Sequence, residues 1–132
     1  MADNFLHSDL TSLIIKGFYN VYNELGYGFL EKVYENAVLI ELRNQGLNCI
    51  AQQPIEVYYN NCKVGFYIAD IIVENSAIIE IKAAESLCEE HEAQLINYLK
   101  ATTIEVGLLL NFGKKAQFKR KVFSSEYKKQ NK

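Results

Sequence analysis

Three charged residues interrupt the most apolar stretch of this chain, and they are the first candidates for chemistry. The stretch runs Ile68-Ala69-Asp70-Ile71-Ile72-Val73-Glu74-Asn75-Ser76-Ala77-Ile78-Ile79-Glu80-Ile81-Lys82. Two runs rich in β-branched residues flank Glu74-Asn75-Ser76, which reads as a β-hairpin. Strands apolar on both faces belong in the middle of a covered sheet. With a three-residue loop, Val73 faces Ala77 and Asp70 falls opposite Glu80, their Cβ atoms about 4.5–5.5 Å apart. Lys82, two residues beyond Glu80, shares that face. Two carboxylates so placed repel by roughly 4 kcal/mol at an effective dielectric of about 20 and a separation of about 4 Å. A divalent cation between them turns that cost into binding, whereas Lys82 matches only one of them. The residues alone leave two other arrangements open. Lysine and carboxylate would also pair on an exposed strand face with Asp70 turned into a loop, and a two-residue loop would send Glu80 to the face opposite Asp70.

The elements that must position these groups follow from periodicity. Leu10, Leu13, Ile14, Gly17, Phe18, Val21, Tyr22 and Leu25 form a helical stripe starting at Ser8 or Asp9, either of which would cap it. Gly17 costs roughly 1 kcal/mol in a helix and marks a close helix contact. Residues 1–8 are expected to fray. Gly26-Tyr27-Gly28 ends the helix, and a second one runs from about Phe29 to Asn44, stopped by Gly46. Glu31 and Tyr34 share a side of it; Glu31 would equally serve the positive helix end. Strands follow at about 55–59, 63–73 and 77–82, a three-stranded meander in which Pro54 confines the first strand to an edge or a strand start. A third helix, about Leu87–Ala101, carries His91, Gln94 and Tyr98 on its polar side. Ile104–Asn111 then reads as a buried strand, and the helical crossover makes it parallel to its predecessor. Gln117–Phe123 completes a short edge strand. On this topology Gln94 and Tyr98 can face the Asp70–Glu80–Lys82 site, and Glu31 can reach it from the second helix.

Bulk properties bound the class. A chain of 132 residues, 49% hydrophobic and 23% charged, makes one domain with a sizeable core. Cys49, Cys62 and Cys88 are odd in number and lack a C-x-x-C spacing, as expected of reduced thiols in a cytoplasmic protein. No basic-then-apolar leader and no apolar run near 18 residues is present, so neither export nor membrane insertion is expected. The net charge of −2 hides an asymmetry: residues 1–113 hold 6 Lys/Arg against 15 Asp/Glu, residues 114–132 hold 8 against one. The basic tail, expected to be flexible, is a candidate phosphate contact or a solubilising terminus.

Taken together, these residues carry a resemblance. Gly28-Phe29-Leu30-Glu31-Lys32-Val33-Tyr34, Asp70, Glu80-Ile81-Lys82 and Gln94-Leu95-Ile96-Asn97-Tyr98 resemble, in order, motifs of the PD-(D/E)XK nuclease superfamily and its small GxxExxY family, over about residues 10–123. Ala69 stands where the superfamily's name has Pro. The resemblance implies a restriction-endonuclease-like α/β fold: a mixed central sheet, antiparallel meander plus a parallel strand after a helical crossover, flanked by helices. It implies Mg²⁺ or Mn²⁺ held by Glu31, Asp70, Glu80 and the Ile81 carbonyl. Lys82 would position or activate the attacking water, and Gln94 and Tyr98 would orient phosphate or brace the carboxylates. His91 is a weaker candidate on the same helix.

Two functions compete. One is a metal-dependent nuclease cutting phosphodiester bonds, with DNA the first expected substrate. The other is a catalytically weak or inactive nucleic-acid-binding or assembly module, in which the nine tyrosines and seven phenylalanines supply a homo-oligomer interface. A binder of small phosphorylated metabolites is disfavoured, since Gly26-x-Gly28 is too short for a phosphate loop.

Overall fold

A computed structural model describes residues 7–124; the expectations for the extreme N-terminus and for the tail beyond Ser124 lie outside the described residues. The elements are α1 (Ser8–Leu25), α2 (Glu31–Asn44), β1 (Cys49–Tyr59), β2 (Cys62–Val73), β3 (Ala77–Lys82), α3 (Glu89–Lys100), β4 (Val106–Phe112) and β5 (Ala116–Val122). The strands form one sheet in sequence order, antiparallel except for β3 and β4, which run parallel. The mixed sheet read from the sequence is therefore the observed one. Strand β5 takes three of the eight basic residues of the tail, Lys119, Arg120 and Lys121. His7, not Ser8 or Asp9, occupies the position before α1, and no side chain caps that helix.

Helices α1 and α2 cover one face of the sheet. Ile14, Phe18, Tyr34, Val38 and Leu42 pack there on Ile71, Val73, Ile79, Ile81, Leu110 and Phe112. Helix α3 covers the other, with Leu95, Tyr98 and Leu99 on Ile78 and Leu109. Gly17 sits where α1 and α2 touch: a Cβ there would come within 2.8 Å of Leu42 Cδ2, so only glycine lets the helices approach this closely. Strands β3 and β4 are buried on both faces, as expected of a parallel pair between helix layers.

The two halves of the sheet differ. Pro54 is accommodated inside β1 because β1 is an edge strand. Side chains in a regular strand alternate between faces, yet Cys49 and Ala51 pack on the α1/α2 side and Ile55 on the α3 side. β2 makes the same change: Ala69 faces α3, while Ile71 and Val73 face α1/α2. Both changes fall at one level. Gln52 has a left-handed backbone (φ 55°), and the β1–β2 ladder skips the pair that Gln52 and Asp70 would make. Beyond this break β1 and β2 continue without β3, as a two-stranded arm exposing Tyr58, Tyr59, Val64, Phe66, Tyr67 and Ile68.

Candidate active site

The hairpin register is the one counted from the sequence: residues 74–76 form the loop and Val73 pairs with Ala77. The β2–β3 ladder stops at Ile71–Ile79, one pair short of Asp70 and Glu80. There the side chains take over from the backbone. The Asp70 N–H donates to Glu80 Oε2 at 2.9 Å, and the Ile81 N–H donates to Asp70 Oδ2 at 2.8 Å. Each carboxylate thus satisfies the amide that the parting strands would otherwise orphan, and one oxygen of each is engaged this way.

Burial sets the electrostatics. Glu80 is almost fully buried, and its pKa is pushed up to about 8, first by desolvation and then by the negative charge of Asp70. Asp70 is raised mainly by burial, against the Ile81 amide, which favours the charged form. Glu35 and Glu31 raise it further and Lys82 opposes them. Lys82 favours the charged form of both acids without a close ion pair to either, and its Nζ donates to Gln94 Oε1 at 3.4 Å. Tyr98, from the same face of α3, is raised to about 12 by burial and then by Glu80, Asp70 and Tyr67, so its hydroxyl stays a donor at neutral pH. Its ring lies 5.3 Å from that of Tyr67, centroid to centroid.

Helix α2 supplies acids from the other side. Glu31 is its first residue, exposed, and felt by Asp70 as a like charge. Glu35, one turn on, is buried and acts on both Asp70 and Glu80. Its oxygens accept from Gln52 Nε2 at 2.9 Å and from Lys32 Nζ at 3.0 Å. The left-handed turn at Gln52 thus brings an amide from mid-strand to a helix carboxylate. Glu35 was absent from the sequence reading, although it lies one turn after Glu31 and one before the buried Val38, an acid on a buried line. Gln52 carries no sequence signal, because a non-glycine left-handed residue inside a strand has none.

The other motif residues divide by role. Tyr34 is a structural pin: its hydroxyl donates to the Gly26 carbonyl at 2.8 Å and accepts the Phe29 N–H at 3.1 Å, and its ring stacks on Phe112. Gly28, at φ 108°, allows the turn that starts α2 and so places Glu31. His91 Nδ1 accepts the Cys88 N–H at 3.3 Å, so the ring serves the start of α3. Asn111 was also missed. Fully buried and paired with Lys82 across β3–β4, it exchanges two hydrogen bonds with the Ala84 backbone (2.9 and 3.0 Å) and fixes the chain as it leaves the site.

Among the described residues no three His, Cys, Asp or Glu side chains already converge on one point as a ligand set. The donors nonetheless suit a hard divalent cation. Asp70 and Glu80 offer oxygen only, each retains a second oxygen, and a bound cation would offset both the burial of Glu80 and the like charge of Asp70 that raise it.

The geometry places a half-buried Asp70 and a buried Glu80 where two strands part, with a lysine two residues beyond the glutamate. Residues 8–121 match the PD-(D/E)XK nuclease superfamily, and the chain belongs to it. In fold it is similar to the protein described as "Crystal structure of SSO0001", with a TM-score of 0.58 and 21% identity. That likeness covers 89% of this chain and 60% of the other, so this chain spans about three-fifths of that protein's length. No curated protein matches the sequence.

Proposed function

We propose that the chain is a Mg²⁺- or Mn²⁺-dependent nuclease of the GxxExxY kind, hydrolysing phosphodiester bonds in nucleic acid, DNA first. The observation that carries this is the pair of carboxylates, Glu80 buried and Asp70 half-buried, exchanging backbone hydrogen bonds where β2 and β3 part, with Lys82 bonded to Gln94 beside them. In this reading Asp70, Glu80 and the Ile81 carbonyl hold the cation and Glu31 completes the set. When bound, the ion supplies electrophilic stabilisation of the phosphoryl oxygens and a more acidic water. Lys82 orients the attacking water and offsets charge developing on the phosphate, with Gln94 fixing its reach. The protonated Tyr98 hydroxyl donates to the phosphate or to Glu80. Glu35, gripped by Lys32 and Gln52, tunes Asp70 from behind.

The test is cleavage of single- and double-stranded DNA and RNA by the full chain with Mg²⁺ or Mn²⁺. Asp70→Asn and Lys82→Ala should each lower the rate at least ~10³-fold while leaving the fold intact, as seen by circular dichroism. Cleavage by both variants at the wild-type rate would reject these roles. A second reading has its own support: Asp70 and Glu80 already work as hydrogen-bond acceptors for the sheet, a job that would keep them without chemistry. In that reading the chain is a nucleic-acid-binding or assembly module. Calorimetric titration with Mn²⁺ separates the two, since only the nuclease requires a cation bound at millimolar concentration or below.

A further inference from the structure

We propose that the turn between β4 and β5, through Lys114 and Lys115, grips the substrate phosphates that flank the scissile one. This rests on the nuclease reading and adds where the nucleic-acid backbone runs.

Register carries the first part of the argument. Lys82 pairs with Asn111, and Asn111 pairs with Gln117. The start of β5 therefore lies at the same end of the sheet as the catalytic cluster, two strands over, or about 10 Å at ordinary strand spacing. Lys114 and Lys115 precede that start in the turn.

The turn is also held in place. The Tyr22 hydroxyl, from α1, is shared between the Gly113 and Lys114 carbonyls at 2.8 Å each. Gly113 packs against the Ala84 carbonyl so closely that no Cβ fits between them. Asn111 ties the same Ala84 to β4. The segment leaving β3 and the lysine turn are thus braced against each other, which fixes the backbone that carries the two lysines relative to the site.

Charge supplies the third part. Asp70, Glu80, Glu35 and Glu31 make the site repulsive to a polyanion, and residues 1–113 are acidic overall. Most other cations are spent inside the fold: Lys32 on Glu35, Lys63 on Glu56, Lys121 on Glu92, Arg43 on the Cys49 carbonyl and Lys82 on Gln94. Lys114 and Lys115 are exposed, and among the described residues neither side chain is used in an ion pair or hydrogen bond. The exposed β1–β2 arm offers phosphates little, since its only charges, Glu56 and Lys63, neutralise each other. Two exposed lysines on a braced turn beside an acidic site give contacts that position a backbone without reading sequence.

The experiment measures affinity against salt concentration for fluorescein-labelled single-stranded and duplex DNA of several sequences. It uses the full chain carrying Asp70→Asn, in chelator, so that nothing is cut. Each phosphate contact contributes about −0.9 to the log–log slope for duplex and about −0.7 for single strands. Lys114→Gln with Lys115→Gln should flatten the slope by about 1.4–1.8 and weaken all sequences alike, Lys114→Arg with Lys115→Arg should restore it, and Lys63→Gln should leave it unchanged. In the wild-type background the glutamine pair should raise KM and spare kcat. An unchanged slope, or no measurable DNA binding by the parent, overturns the proposal. Lysine-dependent binding without cleavage by the wild type would instead remove the nuclease reading and leave the phosphate grip standing.

Discussion

Strands β3 and β4 and the β1–β2 arm both carry runs of β-branched and aromatic residues and meet opposite fates. Ala77–Ile81 and Val106–Phe112 are buried on both faces, alternate regularly, and the two strands pair with each other along the length of β3. Val64, Phe66, Tyr67 and Ile68 stay exposed on a two-stranded ribbon. The change comes within one residue level, at Gln52 and Asp70. The candidate carboxylates Asp70 and Glu80 sit on that seam, where the covered half-sheet ends and its ladder no longer uses every amide. A site needs fixed groups with room beside them, and the seam gives both.

The contrast can be broken by mutation. Ile79→Ala, in the covered half, should cost about 2–5 kcal/mol in urea unfolding; a loss under 1 kcal/mol would mean that half is looser than its burial implies. At the seam the effect should depend on pH. The folded pKa of Glu80, about 8, lies above its ordinary value of 4.5. Its contribution to stability is therefore fully present below about 4.5 and is lost as pH rises to about 8. Glu80→Gln should gain about 5–10 °C in Tm on the metal-free wild type between pH 5 and pH 9. On the proposed ligand set Mn²⁺ would displace the same proton, so wild-type affinity should climb with pH and level off above about 8. A flat profile by calorimetry would separate Glu80 from the cation. Gln52→Val puts a β-branched residue at φ 55° and should cost of order 1–2 kcal/mol. Gln52→Gly should cost less, while both lower activity equally by releasing Glu35. On the arm, Phe66→Ser should stay within about 0.5 kcal/mol by the same urea measurement.

Much of this was legible in the sequence, and the seam marks where that ended. Helix stripes, the 74–76 loop, the crossover to β4 and the order of strands are local patterns or follow from them. The opposition of Asp70 and Glu80 came from counting, and counting holds while strands stay paired. It missed that the ladder stops just before them, because nothing in Gln52-Gln53-Pro54 announces a left-handed residue. Glu35 was overlooked for a related reason. Its partner Gln52 is 17 residues away, and its closeness to Asp70 exists only once α2 packs beside the break. Tyr34 reads as a motif residue and is a brace, since a sequence cannot separate a side chain that acts from one that holds a loop.

Asp70 and Glu80 stand in for missing backbone acceptors, so the choice of substitution matters as much as the choice of position. Asparagine or glutamine keeps a carbonyl for the waiting amide and removes only the charge. Alanine would strip the amide of its partner and let solvent pry the hairpin apart. A strain carrying an alanine allele would then report a folding lesion under the name of a catalytic defect, and amide replacements are the ones whose phenotype speaks to chemistry.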